Sequence, residues 1–86
     1  MHRPDIESEI HSFVISNFLF GQPVDLQPGD SLLEKGVIDS TGVLELVAFL
    51  EERYAIEVQD DEVIPDNLDS VTKVATYVTS KLSYAV

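Results

Sequence analysis

The sequence predicts an all-α fold: a small four-helix bundle of three main helices plus one short helix, with a long loop between helices 1 and 2. Three observations carry that expectation. Apolar residues recur at helical spacing in three segments, no stretch alternates apolar and polar residues between turn signals as a strand would, and 86 residues supply a single small hydrophobic core. Hydrophobic residues make up 44% and charged residues 24%, with four Gly and four Pro, the balance of a compact domain and not of a disordered chain. Residues 1–86 are therefore read as one domain.

The first helix is expected over residues 4 to 20. Pro4 opens it where a missing N–H is harmless, and Asp5 and Glu7 lie near the positive end of its dipole. Ile6, Ile10, Phe13 and Val14 share one face, and Ile15 and Leu19 point to a second, over which the following loop is expected to fold. Gly21 and Pro23 end the helix. From 21 to about 38 the chain combines Pro23, Pro28, Gly29 and Gly36 with Val24, Leu26, Leu32, Leu33, Val37 and Ile38, the pattern of a long connection pinned by its side chains. A turn of helix is expected near Asp30 to Glu34. The second main helix should begin at Asp39 or Ser40 and run to about Tyr54. Val43, Leu46, Val47, Leu50 and Tyr54 form its apolar stripe, Thr41, Glu45, Ala48 and Glu52 its opposite face, and Leu44 and Phe49 its flanks. A short helical segment is expected from Asp60 to Ile64, ended by Pro65. Asp69 or Ser70 then caps a last helix to about Leu82, with Val71, Val74, Ala75, Val78 and Leu82 on its buried face.

Sixteen Asp and Glu against five Lys and Arg give a formal charge of -11. Such a chain repels phosphate backbones and anionic lipid headgroups, so the expected partners are basic proteins, with no nucleic acid and no membrane insertion. The absence of cysteine excludes a disulfide framework, a thiolate zinc site and a cysteine nucleophile, so any thiol chemistry must be imported. Apolar runs such as Phe18-Leu19-Phe20 are too short to span a bilayer and no signal-peptide pattern opens the chain, which makes a cytoplasmic protein the expectation; a monomer is expected separately.

Catalytic chemistry finds little to work with. His2 and His11 lie in or before the first helix, away from any Ser or Asp in an exposed turn. Asp60-Asp61-Glu62 with Asp66 and Asp69 lacks the alternating ligands and closing Glu of a calcium loop, and reads as a solvated acidic surface. The most informative stretch is Gly36-Val37-Ile38-Asp39-Ser40 followed by Glu45-Leu46-Val47-x-x-Leu50-Glu51-Glu52. Ser40 stands at the mouth of an amphipathic helix, where free N–H groups and the helix dipole favour a phosphate on its hydroxyl. On local chemistry alone Asp39 and Ser40 are explained as helix caps, as Asp69 and Ser70 are at the last helix.

The pattern Asp39-Ser40-x-x-x-x-Glu45-Leu46-Val47-x-x-Leu50-Glu51-Glu52 closely resembles the D-S-L-x-x-x-E-L-V-x-x-L-E-E helix of the acyl carrier protein family, including its aminoacyl and peptidyl relatives. Length, acidity, the long first loop and helix order extend the resemblance over nearly the whole chain. It implies that Ser40 receives 4'-phosphopantetheine from coenzyme A, and that Asp39 belongs to the surface read by the attaching phosphopantetheinyl transferase. The arm's thiol would carry acyl or aminoacyl groups as thioesters, and the chain itself would make no bonds. Glu45 and Glu52, with Glu51 on the flank, match the family's acidic recognition positions, and Thr41, Leu44 and Ala48 lie on the same partner-facing surface. An adenylating acyl or aminoacyl ligase, an acyltransferase or a synthase would dock there through basic patches. Seven acids between Glu45 and Glu62 against Arg53 alone suit recognition better than a solvated face, which would mix signs to gain i, i+4 pairs.

The sequence departs from the family pattern at Thr41 for the usual Leu, Gly42 for a frequent acid and Ala48 for a bulky residue. Those departures alter the surface that enzymes of primary fatty-acid synthesis would read, and the wording Gly-Val-Ile-Asp-Ser-Thr looks more like stand-alone carriers of dedicated pathways. The alternative is an acidic helical interaction module in which Ser40 is a helix cap or a phosphorylation site.

Overall fold

In the computed structural model of the protein, residues 5–19 and 25–84 are described. They contain four α-helices and one 3-10 turn: α1 (Ile6–Phe18), α2 (Ser40–Tyr54), the 3-10 turn (Asp60–Glu62), α3 (Pro65–Leu68) and α4 (Val71–Tyr84). No strand occurs among the described residues. The expectations at His2, Pro4, Gly21, Pro23 and Val24 lie outside the described residues.

α4 is the spine of the bundle, with α1, α2 and α3 packed against it. Val71, Val74 and Val78 are fully buried, as expected from their spacing, and Ala75 and Leu82 pack at the edge of the core. Facing them, α1 contributes Ile10 and Val14 and α2 contributes Leu46 and Leu50, all without solvent exposure. Each such side chain gains about 1.5–3 kcal/mol on leaving water. Phe13 of α1 stacks on Phe49 of α2 with centroids 4.0 Å apart, joining the two helices outside the main core. None of these helices is long and apolar enough to cross a membrane.

The long connection is held to the core. Leu26, Leu32, Val37 and Ile38 are buried, and His11 Nε2 stands 3.3 Å from the Leu26 carbonyl oxygen. At Asp30 to Glu34 the chain makes the expected single turn, closed by one bond of helical i to i−4 spacing and not continued as a helix. The Lys35 amide donates to the Ser31 carbonyl at 3.1 Å, and the Gly36 amide donates to that of Leu33 at 3.1 Å. Gly36 has φ 68, a conformation that ends this turn and suits a residue without Cβ.

Three further details depart from the sequence reading. Pro65 begins α3 and does not end the preceding segment, because position N1 needs no N–H and Ile64 before it is extended, as pre-proline residues prefer. The segment before it is a single 3-10 turn ending at Glu62. Tyr77, outside the expected stripe, is buried against the core, with its hydroxyl donating to Glu62 Oε1 at 3.0 Å. α4 itself runs two residues past the expected end, to Tyr84.

Glu62 fastens the 3-10 turn to α4. Its Oε1 also accepts from the Gln59 amide at 2.9 Å and from Lys81 Nζ at 2.9 Å. The Gln59 amide first and Lys81 second hold the Glu62 carboxyl below its ordinary value of 4.5. A depressed folded-state pKa stabilises the fold above the ordinary value, and that stabilisation disappears as pH falls through the folded value. The melting temperatures of wild type and Glu62→Gln should therefore differ at pH 7 and converge as pH falls below about 4.5. A gap that is constant with pH would show that the carboxylate charge plays no part.

Candidate functional site

The start of α2 is built by the loop before it. Asp39 is extended (φ -118, ψ -173) and caps the helix, its Oδ1 accepting from the Gly42 amide at 2.7 Å. Its carbonyl accepts from the Val43 amide at 2.9 Å. The amides of Ser40 and Thr41 have no acceptor within the helix, and no acid lies in the first turn after the cap. Ser40 is exposed at this end. The chemistry suits a hydroxyl esterified by a phosphate: the oxygen is accessible and the local dipole is favourable to negative charge.

Beside Ser40 lies an apolar groove of about 260 Å³. One wall is the first two turns of α2, with Val43 and Leu44; a second is the loop, with Leu33 and Ile38; the third is Val63, Ile64, Pro65 and Leu68, with Asp69 at the junction. Leu33, Leu44 and Ile64 are 45%, 66% and 42% exposed, the large apolar side chains of the described residues that remain most open to water, and all three rim this groove. Leu46, Leu50 and Val74 are sealed in the core beneath and do not reach it.

The remaining residues singled out from sequence are brought onto one surface. Thr41, Leu44, Glu45, Ala48 and Glu52 are exposed along α2 below Ser40. Glu51 is half-buried and its Oε2 accepts from the Val58 amide at 3.0 Å, so it also ties down the loop after α2. Arg53 turns the other way, pairing through Nη2 with Glu9 Oε2 of α1 at 2.7 Å. Tyr54 donates to the other oxygen of Glu9 at 2.7 Å, and burial, then that hydrogen bond, push its hydroxyl well above the ordinary tyrosine value. With Arg53 so engaged, no ion pair forms with the exposed Glu45 or Glu52 among the described residues.

Sequence reasoning missed three parts of the site. Leu33 was legible as an apolar residue of the long connection and Ile64 as the end of a short helical segment, and segments of one turn have no apolar period that would place either on a groove. Asp69 was read as a possible cap of α4, a role that Ser70 performs, its Oγ accepting from the Lys73 amide at 3.0 Å. The carboxylate of Asp69 instead accepts from Ser31 Oγ at 2.6 Å and from the Leu33 amide at 3.0 Å. A D-S dipeptide gives no hint of a partner more than thirty residues away.

Gly42 makes the approach of α1 to this site possible. A Cβ there would stand 2.7 Å from Ile38 Cγ1 and 3.0 Å from Phe18 Cε1. Gly42→Ala should therefore lower the melting temperature, overpacking costing about 1–3 kcal/mol against about 1 kcal/mol gained in helix propensity. A rise in melting temperature would show that Ile38 and Phe18 move aside freely.

No family model matches the chain. Individual proteins do. It is 32% identical over 75 residues to the D-alanyl carrier protein of Streptococcus sanguinis (strain SK36), covering 87% of this chain and 92% of that one. The D-alanyl carrier protein of Streptococcus gordonii is 31% identical over the same shares. The probable acyl carrier protein PigG of Serratia sp. (strain ATCC 39006) is 26% identical over 73 residues, 85% of this chain and 84% of that one. Among solved structures, a chain in the crystal structure of an FAD-dependent dehydrogenase superposes with a TM-score of 0.72 and 26% identity, over 80% of this chain and 97% of that one.

Proposed function

Given that this chain belongs to the acyl carrier protein family, we propose that it is a stand-alone carrier of a dedicated biosynthetic pathway, with Ser40 the attachment point of 4'-phosphopantetheine. The observation that carries the reading is the exposed Ser40 hydroxyl at the Asp39-capped start of α2, beside an apolar groove and above the exposed carboxylates Glu45 and Glu52. In attachment, Ser40 Oγ forms a phosphodiester with the pantetheine phosphate of coenzyme A, losing its proton as the bond to the nucleotide part breaks. Once bound, the arm supplies the thiol that the chain lacks, and that thiol carries cargo as a thioester. The protein makes no covalent bond on the cargo.

Asp39 keeps the first turn of α2 formed while its neighbour is modified. Glu45 and Glu52 orient basic partners, with Thr41, Leu44 and Ala48 as the apolar and neutral contacts between them and Glu51 on the flank. The D-alanyl carrier relatives favour an aminoacyl cargo supplied by an adenylating ligase over a long fatty acyl chain. A flavin enzyme acting on the tethered cargo is a second partner class, supported by the structural neighbour. The site of action is cytoplasmic, where coenzyme A and the transferase are found.

Incubation with coenzyme A, magnesium and a broad-specificity phosphopantetheinyl transferase should add one phosphopantetheine to the intact mass of wild type and none to Ser40→Ala. No increment on folded wild type would leave an acidic interaction module, whose binding would survive Ser40→Ala. Reversing Glu45 and Glu52 to Lys should raise the KM of loading by about tenfold, the equivalent of about 1.4 kcal/mol, with the circular dichroism of the helices unchanged. Unaltered kinetics would make the acidic face a solvated surface only.

A further inference from the structure

The loop between α1 and α2 is joined to the far end of the bundle by a clamp centred on Asp69. Its carboxylate takes the Ser31 hydroxyl on one oxygen at 2.6 Å and the Leu33 amide on the other at 3.0 Å. Its carbonyl takes the Leu32 amide at 2.7 Å. The Ser31 oxygen in turn accepts from the Glu34 amide at 3.1 Å. Leu32, fixed in this way and fully buried, returns the chain by accepting at its own carbonyl from the Val37 amide at 2.9 Å and the Ile38 amide at 3.3 Å. Ile38 immediately precedes Asp39, the cap of α2, and Ser40. A continuous set of hydrogen bonds thus runs from Asp69 to the residues that place the Ser40 hydroxyl.

Helix formation does not explain the arrangement. α4 is capped by Ser70, and the Asp69 amide closes α3 by donating to the Pro65 carbonyl at 3.0 Å, so neither helix uses the carboxylate. The side chain is half-buried and lines the groove in which Ser40 and Leu33 meet. Each of its two oxygens serves a different point of the loop, which fixes the loop's orientation as well as its distance.

We propose that Asp69 is a positioning residue for the modification of Ser40, acting through Ser31, Leu33 and the turn that ends at Ile38; the proposal rests on the carrier reading above. Its effect differs from that of the acidic face. Glu45 and Glu52 meet a partner on approach and govern KM, whereas Asp69 sets where the hydroxyl stands once the partner is bound and governs kcat. Displacement of a reacting atom by about 1 Å can cost on the order of a hundredfold in rate.

The test compares Asp69→Ala, Asp69→Asn and Val78→Ala in phosphopantetheine loading from coenzyme A, well below each melting temperature. Asp69→Ala should lose about tenfold to a hundredfold in kcat with little change in KM, and the Leu33, Val37 and Ile38 amides should exchange faster while those of α1 do not. Asparagine can accept from the Leu33 amide and donate to Ser31, so Asp69→Asn should recover most of the rate. Val78→Ala removes core packing without touching the Asp69 hydrogen bonds and should load like wild type. Wild-type kcat in Asp69→Ala, an equal loss in Val78→Ala, or no recovery in Asp69→Asn would each overturn the proposal. If wild type itself is never loaded, the carrier reading falls and this inference with it; if wild type loads and Asp69→Ala loads equally well, only this inference falls.

Discussion

The burial of Leu32 is the constraint on which the functional end of this protein depends. A loop running from one helix to the next has backbone amides and carbonyls that water would satisfy at the surface, and burying it demands replacements. Leu32 meets the demand on both sides, its amide bonded to the Asp69 carbonyl and its carbonyl bonded to the Val37 and Ile38 amides. The side chain then contributes about 1.5–3 kcal/mol by leaving water, and the hydrogen bonds make the buried loop tolerable without being the main driving force. Everything that defines the site follows in sequence from that anchor: Val37 and Ile38 in the core, Asp39 extended, and Ser40 at the open end of a helix.

A second constraint is charge. With sixteen acids and five Lys and Arg residues, the chain has few cations to place, and three of them make internal ion pairs: Lys35 with Asp30, Arg53 with Glu9 and Lys81 with Glu62. Each joins or closes structure away from the exposed surface of α2. Partly exposed pairs of this kind add little stability individually. Their placement matters more, because among the described residues it leaves Glu45 and Glu52 without an ion pair on the surface below Ser40. A one-signed field on one face attracts and orients a basic partner from a distance, at the expense of self-repulsion across the fold.

The helices were legible from sequence because each has an unambiguous apolar period. Val71, Val74 and Val78, or Leu46 and Leu50, admit no other arrangement that buries them together. Asp39 and Ser40 were legible as the start of α2 because capping is local chemistry, settled within three residues. Pro65 was misplaced because proline terminates a helix from within and begins one from its first position, and a four-residue helix has no period to decide between the two. Asp69 and Glu62 were illegible as long-range partners for a different reason. A carboxylate can accept from any donor that tertiary structure delivers, and nothing local distinguishes the acid that will be met by Ser31 or Tyr77 from its neighbours that will not.

The same distinction explains how the protein separates folding from function. The core uses residues that are identical in kind and replaceable in detail, whereas the site is assembled from three segments that only the finished bundle brings together. Leu33, Leu44 and Ile64 remain exposed on the groove although the chain has an interior available, and leaving them there forgoes hydrophobic stabilisation. A purely structural surface would have placed polar residues at those positions. Their retention around Ser40, with Asp69 holding one wall and Glu62 fastening the 3-10 turn next to another, gives the serine a fixed apolar setting, which the proposed carrier role would use to present one attachment point to each partner enzyme.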